Sequence, residues 1–230
     1  ILTLQESVAV GMGESYARAT GRASFVSLHV DSGLANGIAL MLDAYNTGTP
    51  MVVTSASYDA RKVTEGKTDL AELVRPVTKW AVELTLPDQI PGAIRRAFNE
   101  ANSHPKGPVY VGFTSNCLEG LAEMDIIPSR KIHDSSRPDI EGIQEAASML
   151  QTAKRPVMIV GDRVSDDAAV GHAVELAELL GLPVYQSRGA EVAFPSNHPQ
   201  YLGLLSLRTK GHRETLKNVD LVLSVGMDVF

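Results

Sequence analysis

Short apolar strands alternate with helical segments along nearly the whole chain, and this alternation constrains the fold more than any other feature of the sequence. The clearest strand lies at 50–56, where Met51, Val52 and Val53 follow one another. A strand with one solvated face alternates apolar and polar residues, whereas a parallel strand covered by helices on both faces is apolar throughout. The pattern therefore predicts an α/β fold with a doubly wound parallel sheet.

The first domain is predicted to end near Cys117. Asp31 or Ser32 is expected to cap its second helix. A surface loop with a short helix is expected over 58–73, where the sequence is polar and irregular. The predicted strands are 24–30, 50–56, 77–82 and 108–113, and the predicted helices are 4–20, 34–45 and 87–103.

A linker and a second domain follow. Residues 118–137 lack hydrophobic periodicity and are rich in Pro and Ser, which is typical of a linker. Alternation resumes over 138–230 and predicts a truncated second α/β domain that is Rossmann-like. Its predicted helices are 140–151 and 166–180, and its predicted strands are 155–161, 182–185 and one within 217–225. Because the chain starts without Met and ends just after an apolar run, we expect a piece of a longer polypeptide.

Composition excludes several functional classes. The 230 residues carry a formal net charge of -6 and no basic cluster, so nucleic acid is not an expected partner. No apolar run approaches the roughly 18 residues of a membrane span. The one Cys, Cys117, excludes an internal disulfide and a Cys-based zinc site, and we interpret it as structural. The six His residues lack metal-ligand spacing, so no metal site is expected within the chain.

Two residues are candidates for chemistry by position. Glu6 lies at the start of a predicted helix, where a carboxylate is either functional or simply stabilised by the helix dipole. His29 ends a predicted strand, and ligands of open α/β sheets bind outside the carboxyl ends of strands. A hydrogen-bonded turn is the equally weighted alternative for His29. The turn 161–163 follows a strand as a dinucleotide loop would, but it lacks the required glycines.

The ordered motifs of the first domain resemble a known family. Leu4-Gln5-Glu6-Ser7, followed by Gly13-Glu14-Ser15-Tyr16-Ala17-Arg18-Ala19-Thr20-Gly21, resembles the pyrimidine-binding domain of thiamine-diphosphate-dependent enzymes. The resemblance extends through 33–44, 50–55, 75–80 and 107–111, and the second domain resembles the central domain of that family. It is greatest toward the benzoylformate decarboxylases. That likeness rests on His29 lying 23 residues after Glu6, on Asn36 seven residues later, and on 194–199.

The resemblance implies thiamine diphosphate and magnesium as cofactors. Glu6 would hydrogen-bond ring nitrogen N1′ of the aminopyrimidine, so that the ring can remove the proton from thiazolium C2, and apolar neighbours would raise the pKa of the Glu6 carboxyl group. His29 would act on the substrate, and Asn36 would contact the pyrimidine or hold the loop. The metal site and the diphosphate-binding domain would lie beyond Phe230. The central domain can hold FAD in acetolactate synthases and is usually empty in decarboxylases.

The implied activity is that of a 2-ketoacid decarboxylase, cytoplasmic and active as a homodimer or homotetramer, with the 230 residues inactive alone. An acetolactate synthase-type carboligase is the alternative within the family. A non-catalytic α/β binding module is the alternative outside it. Glu6 favours an enzyme, because a module without cofactor has no use for that carboxyl group in that place.

Overall fold

The computed structural model describes residues 1–62, 68–128, 137–187, 189, 191–205 and 214–227. The chain divides into two compact units, 1–135 and 136–230. Within the described ranges, none of the helices combines the length and the apolar character needed to cross a membrane.

The first unit is built on a four-stranded sheet in which every pair is parallel, in the order β1-β2-β4-β3. Its strands are β1 Ser24–Leu28, β2 Met51–Ser57, β3 Trp80–Leu84 and β4 Pro108–Thr114. Its helices are α1 Glu6–Thr20, α2 Asp31–Thr47, α3 Leu70–Val74, α4 Ile90–Asn102 and α5 Ser115–Glu119.

Both faces of this sheet are covered, as the unbroken apolar run of β2 predicts. Met51 and Val53 pack into one core with Val10 of α1, whereas Val52 points to the other face and packs into a core with Ala97 of α4. All five residues are fully buried. The predicted α/β fold with a doubly wound parallel sheet is thereby confirmed.

The second unit repeats the architecture with the parallel strand order β7-β6-β5-β8. Met158 and Val160 of β5 pack with Ala177 and with the fully buried ring of Phe194. The strands are β5 Pro156–Val160, β6 Val184–Ser187, β7 Tyr201–Leu205 and β8 Leu221–Val225, and the helices are α6 Ile140–Thr152, α7 Arg163–Asp166 and α8 Val170–Leu180.

Several local predictions are wrong for identifiable reasons. Asp31 does not cap α2 but is its first residue, and its Oδ1 accepts a hydrogen bond from Ser32 N at 2.8 Å. The third strand begins at Trp80, because Arg75–Val77 form a 3₁₀ turn. The helix predicted over 166–180 begins only at Val170, because α7 ends at Asp166 and Ala168 adopts a left-handed φ of 55° between the two helices.

Two further differences concern extended and loop segments. Strand β7 has no counterpart among the predictions; it contains Gly203, which is unfavourable inside a strand. Residues 120–128 of the predicted linker form neither helix nor strand. The rest of that linker at 129–136 and part of the predicted loop at 63–67 lie outside the described residues.

Candidate active site

Glu6, His29 and Asn36 come together where α1 begins and β1 ends. Glu6 is the first residue of α1, His29 directly follows the last residue of β1, and Asn36 lies in the second turn of α2. Val10 and Leu34 are fully buried in one cluster between these helices, which fixes the start of α1 against the start of α2. Packing therefore brings together three residues that are up to 30 positions apart in sequence.

Glu6 is in contact with Asn36 through a hydrogen bond and lies close to His29 across Gly33. Asn36 Nδ2 donates a hydrogen bond to Glu6 Oε2 at 3.5 Å. Gly33 lies buried beside both Glu6 and His29: an ideal Cβ added there would be 2.8 Å from Glu6 Oε1 and 2.8 Å from His29 Cβ. Glu6 is half-buried and His29 is exposed, so the carboxylate is held against the protein while the imidazole faces solvent.

The apolar surroundings expected for Glu6 do not come from its neighbours in sequence. Leu2 and Leu4 are fully exposed, at 98% and 103% of their reference areas, and Val8 is also exposed. These side chains precede or flank the first turn of α1 and point away from the core. What shields the Glu6 carboxylate is the buried backbone of α2 at Gly33.

A shallow depression lies beside the turn that carries His29. It is formed where the turn after β1 meets the loop after β2. Asp31 is part of its wall, as are three residues with hydroxyl groups that no sequence motif indicated. Its lining consists of Val30, Asp31, Ser57, Tyr58, Thr68 and Leu70. The sequence feature that could have indicated these residues is their position, because most of them follow the carboxyl ends of adjacent parallel strands.

A buried polar network supports this edge of the sheet. Tyr110, which is fully buried, lies with its hydroxyl 2.7 Å from Ser55 Oγ. Burial is the main cause that raises the pKa of Tyr110 to about 12, partly offset by the Ser55 hydrogen bond. Ser57 Oγ donates a hydrogen bond to Glu83 Oε1 on β3. The network joins β2, β3 and β4 directly beneath the loops of the candidate site.

Asn116 ties two of those loops together. Its Oδ1 accepts a hydrogen bond from Ala60 N at 2.9 Å, and its Nδ2 donates to Thr85 O at 2.7 Å. Ala60 belongs to the loop after β2, and Thr85 follows β3 directly. One amide side chain thus satisfies two loop backbone groups, a role that sequence reasoning missed because Asn116 lies outside any recognisable motif.

The edge of the second unit where a nucleotide would bind is occupied by the chain itself. In this strand order the switch point lies between β5 and β8. Gly161 N donates to Val225 O at 2.9 Å, and Arg163 N donates to Gly226 O at 3.1 Å. A Cβ on Gly161 would lie 2.5 Å from Gly226 O, so the two backbone segments are in direct contact.

Asp162 is also part of this edge and is held in place by backbone contacts. The Asp162 carboxylate accepts a hydrogen bond from Glu191 N at 3.0 Å and lies so close to Gly189 that a side chain there would overlap it. A diphosphate needs available backbone N–H groups and the absence of nearby anions. At this edge the N–H groups of Gly161 and Arg163 already donate to the end of β8, and the Asp162 carboxylate follows Gly161 directly.

Other chemistry-bearing residues do not form a second site. Among the described residues there is no cluster of three His, Cys, Asp or Glu that could hold a metal ion. Cys117 is buried, and burial is the main cause that raises the pKa of its thiol, which agrees with a structural role.

The chain contains two α/β units with parallel sheets. In the first unit, a carboxylate, an imidazole and an amide lie at the edge where ligands bind, which is typical of a cofactor-binding α/β protein. Residues 1–75 match the model of the thiamine pyrophosphate enzyme N-terminal TPP binding domain, and residues 143–230 match the model of the thiamine pyrophosphate enzyme central domain. The chain belongs to the thiamine pyrophosphate enzyme family.

Known relatives match the chain along its whole length. It is 30% identical to benzoylformate decarboxylase of Pseudomonas aeruginosa, covering 100% of this chain and 45% of the relative. It is 28% identical to the acetolactate synthase large subunit of Haemophilus influenzae, covering 99% and 41%. Among solved structures, the thiamine diphosphate-dependent 4-hydroxybenzoylformate decarboxylase of Rhodococcus jostii superposes with a TM-score of 0.91 at 30% identity, covering 100% and 45%. The chain thus spans less than half of each relative.

The residues at the first edge fit the pyrimidine half of thiamine diphosphate. Within the part of the chain that the structure describes, the one hydrogen bond to the Glu6 carboxylate is the long one from Asn36. Its Oε1 lies beside Gly33, which has no side chain to cover it. A carboxyl group of this kind can bind a ring nitrogen at little cost in existing contacts.

Proposed function

We propose that the full-length protein is a thiamine-diphosphate-dependent 2-ketoacid decarboxylase, similar to benzoylformate decarboxylases, in which Glu6 binds the aminopyrimidine ring. The observation that carries this proposal is the Glu6 carboxylate held beside His29 and Asn36 at the carboxyl edge of β1. When bound, thiamine diphosphate supplies a nucleophilic thiazolium carbon and accepts the electron pair of the carbon–carbon bond that breaks.

Glu6 holds and moves a proton at ring nitrogen N1′. Its carboxyl group is long enough to extend from the first turn of α1, and Asn36 restricts one oxygen while the other remains available. A carboxyl group that exchanges a proton with this nitrogen is a general acid and base. Glutamine has nearly the same shape but has no proton to exchange in this way.

His29 acts on the substrate. Its exposed side chain follows β1 and directly precedes Val30, which lines the depression together with Asp31 and Ser57. An imidazole can hydrogen-bond the ketoacid carboxylate and can deliver a proton after carbon dioxide leaves. Glu6 and His29 thus have separate tasks, one at the cofactor and one at the substrate.

The closed edge of the second unit favours a decarboxylase over an acetolactate synthase-type carboligase. FAD is expected only for the carboligase, and at the β5–β8 edge the N–H groups that could bind a diphosphate, those of Gly161 and Arg163, already donate to the end of β8. We further propose that magnesium and the cofactor diphosphate are bound by residues outside 1–230, and that the active protein is a homodimer or homotetramer.

The test replaces Glu6 in the full-length protein. Glu6→Gln should slow exchange of the C2 proton of bound cofactor by at least about 100-fold, while cofactor affinity falls less. Glu141→Gln is the matched control, because Glu141 is also a first-turn helical glutamate but lies in α6 of the second unit. Exchange is followed by NMR of the bound cofactor in deuterated buffer. Wild-type exchange in Glu6→Gln would reject the assignment of Glu6 and leave it a helix-end carboxylate.

A further inference from the structure

We propose that Gly33 is a positioning residue for Glu6: the missing side chain at position 33 leaves the space that the Glu6 carboxylate occupies. This inference rests on the proposed function, since it concerns the orientation of the carboxyl group that binds the aminopyrimidine. Gly33 itself contacts neither cofactor nor substrate in the proposal.

The geometry at Gly33 leaves no room for even one carbon atom. An ideal Cβ would lie 2.8 Å from Glu6 Oε1, 3.1 Å from Glu6 Cγ and 2.8 Å from His29 Cβ. Real Cβ atoms essentially never approach other heavy atoms below 3.0 Å. The contact therefore involves both residues assigned to chemistry in this unit.

Backbone conformation does not account for the glycine. Gly33 is the third residue of α2 and is absent from the glycines with positive φ, so alanine could adopt the same backbone. Alanine is also the better helix former. Because alanine would stabilise the helix more than glycine at this position, the presence of glycine indicates that there is no space for a Cβ.

The neighbours of this space differ in how easily they move. Glu6 Oε1 is the end of a flexible side chain, whereas His29 Cβ is attached to the backbone next to β1. A methyl group at position 33 would therefore displace the carboxylate first. That displacement would also break the 3.5 Å hydrogen bond from Asn36 Nδ2 to Glu6 Oε2.

Gly37 offers a matched control within the same helix. It lies one turn after Gly33, it is also buried, and a Cβ there would be 2.8 Å from Leu28 Cδ1 and 3.1 Å from Val10 Cγ2. The crowding is comparable, but the neighbours are apolar core atoms. Gly37→Ala therefore introduces a comparable crowding one helical turn away, with no direct contact to the Glu6 carboxylate.

The first measurement does not depend on cofactor or turnover. Crystal structures of the unloaded full-length Gly33→Ala and Gly37→Ala variants are compared with the wild type. We expect the Glu6 carboxylate to be displaced and its Asn36 bond lost only in Gly33→Ala. If the Glu6 carboxylate of Gly33→Ala has the wild-type position, the proposal for Gly33 is wrong, whether or not the proposed function is correct.

The second measurement is C2 proton exchange of bound cofactor. Gly33→Ala should slow it about 10- to 100-fold, because misplacement by about 1 Å costs up to about 10² in rate, and Gly37→Ala should not. Wild-type exchange in Gly33→Ala would overturn the positioning role. Absence of exchange in the wild type would instead reject the proposed function and leave the crystallographic result to decide on Gly33.

A double variant covers the case in which Gly33→Ala does not fold. Adding Glu6→Ala removes the carboxylate that the new methyl group would meet. Restored folding in the double variant, measured by circular dichroism and thermal unfolding, would support direct contact with Glu6. Continued failure to fold would overturn the proposal, since the obstruction would then lie at His29.

Discussion

The Tyr110 hydroxyl lies 2.7 Å from Ser55 Oγ and joins β4 to β2 inside the sheet core. The phenol extends along β4 toward the carboxyl edge, above Gly112, where a Cβ would be 2.9 Å from Tyr110 Oη. A glycine two residues further along β4 thus makes room for the ring. The hydrogen bond holds β2, whose following loop lines the depression, against β4.

Tyr110→Phe should lower the free energy of unfolding by about 1–3 kcal/mol, because it leaves the Ser55 hydroxyl buried without its partner. Urea unfolding at neutral pH measures the loss. Tyr45→Phe is the control, since Tyr45 is exposed on α2 and should change stability little. Equal stability of wild type and Tyr110→Phe would mean that Ser55 finds another partner.

The same tyrosine predicts a loss of stability at alkaline pH. Burial raises the pKa of Tyr110 from 10.0 to about 12, so the unfolded chain ionises first as the pH rises. The stabilisation is complete below pH 10 and is lost as the pH rises through about 12, a change of about 3 kcal/mol. Tyr110→Phe lacks this loss, so its stability should fall less between these pH values than that of the wild type. Parallel pH profiles of the two proteins would contradict the prediction.

Asn36→Ala should slow C2 proton exchange about 3- to 10-fold in the full-length protein, less than Glu6→Gln does. The hydrogen bond from Asn36 Nδ2 to Glu6 Oε2 is long and exposed, and such bonds contribute about 0.5–1.5 kcal/mol. Asn102→Ala serves as the control, because Asn102 makes a similar helix-surface bond to Phe98 O. A loss as large as that of Glu6→Gln would show that Asn36 binds the cofactor itself.

His29→Ala should leave C2 proton exchange near the wild-type rate and reduce ketoacid turnover by about 10²–10⁴-fold. The reason is the proposed task of His29 at the substrate, together with its exposed position at the end of β1. His29→Asn distinguishes catalysis from support of the turn, because asparagine can still hydrogen-bond the backbone. Near-normal steady-state turnover in His29→Asn would reject the catalytic role.

The full-length protein should bind no FAD at micromolar concentrations. The reason is that Arg163 N and Gly161 N already donate to the end of β8, so they are not available to a diphosphate. Titration of FAD fluorescence with increasing protein measures this directly. A saturable change in fluorescence would contradict the prediction and return the acetolactate synthase-type alternative to consideration.

Both sheets could be predicted from sequence because their central strands are apolar on both faces. Met51, Val52 and Val53 serve two cores at once, and a helix-covered parallel sheet is the arrangement that requires such a run. The approach of His29 to Glu6 follows in part from the same logic, since a residue directly after a buried parallel strand lies at the edge where ligands bind.

The parts that could not be predicted depend on contacts between distant segments. Ser57 is hydrogen-bonded to Glu83, and Asn116 to Ala60, only because β4 lies between β2 and β3 and brings the ends of the three strands together. Local propensity carries no information on such pairs. The break between α7 and α8 at Ala168 was missed for a related reason: a left-handed alanine is set by its surroundings and not by its own preference.

The strand order of the first unit has a consequence for biosynthesis. Strand β4 lies between β2 and β3, so β3 and one edge of β2 have no partner until the segment beginning at Pro108 has left the ribosome. Until then, unpaired strand edges with apolar faces are exposed, and such nascent states are prone to aggregate. Recruitment of a chaperone to ribosomes carrying this chain should therefore peak before β4 emerges and decline once it has inserted.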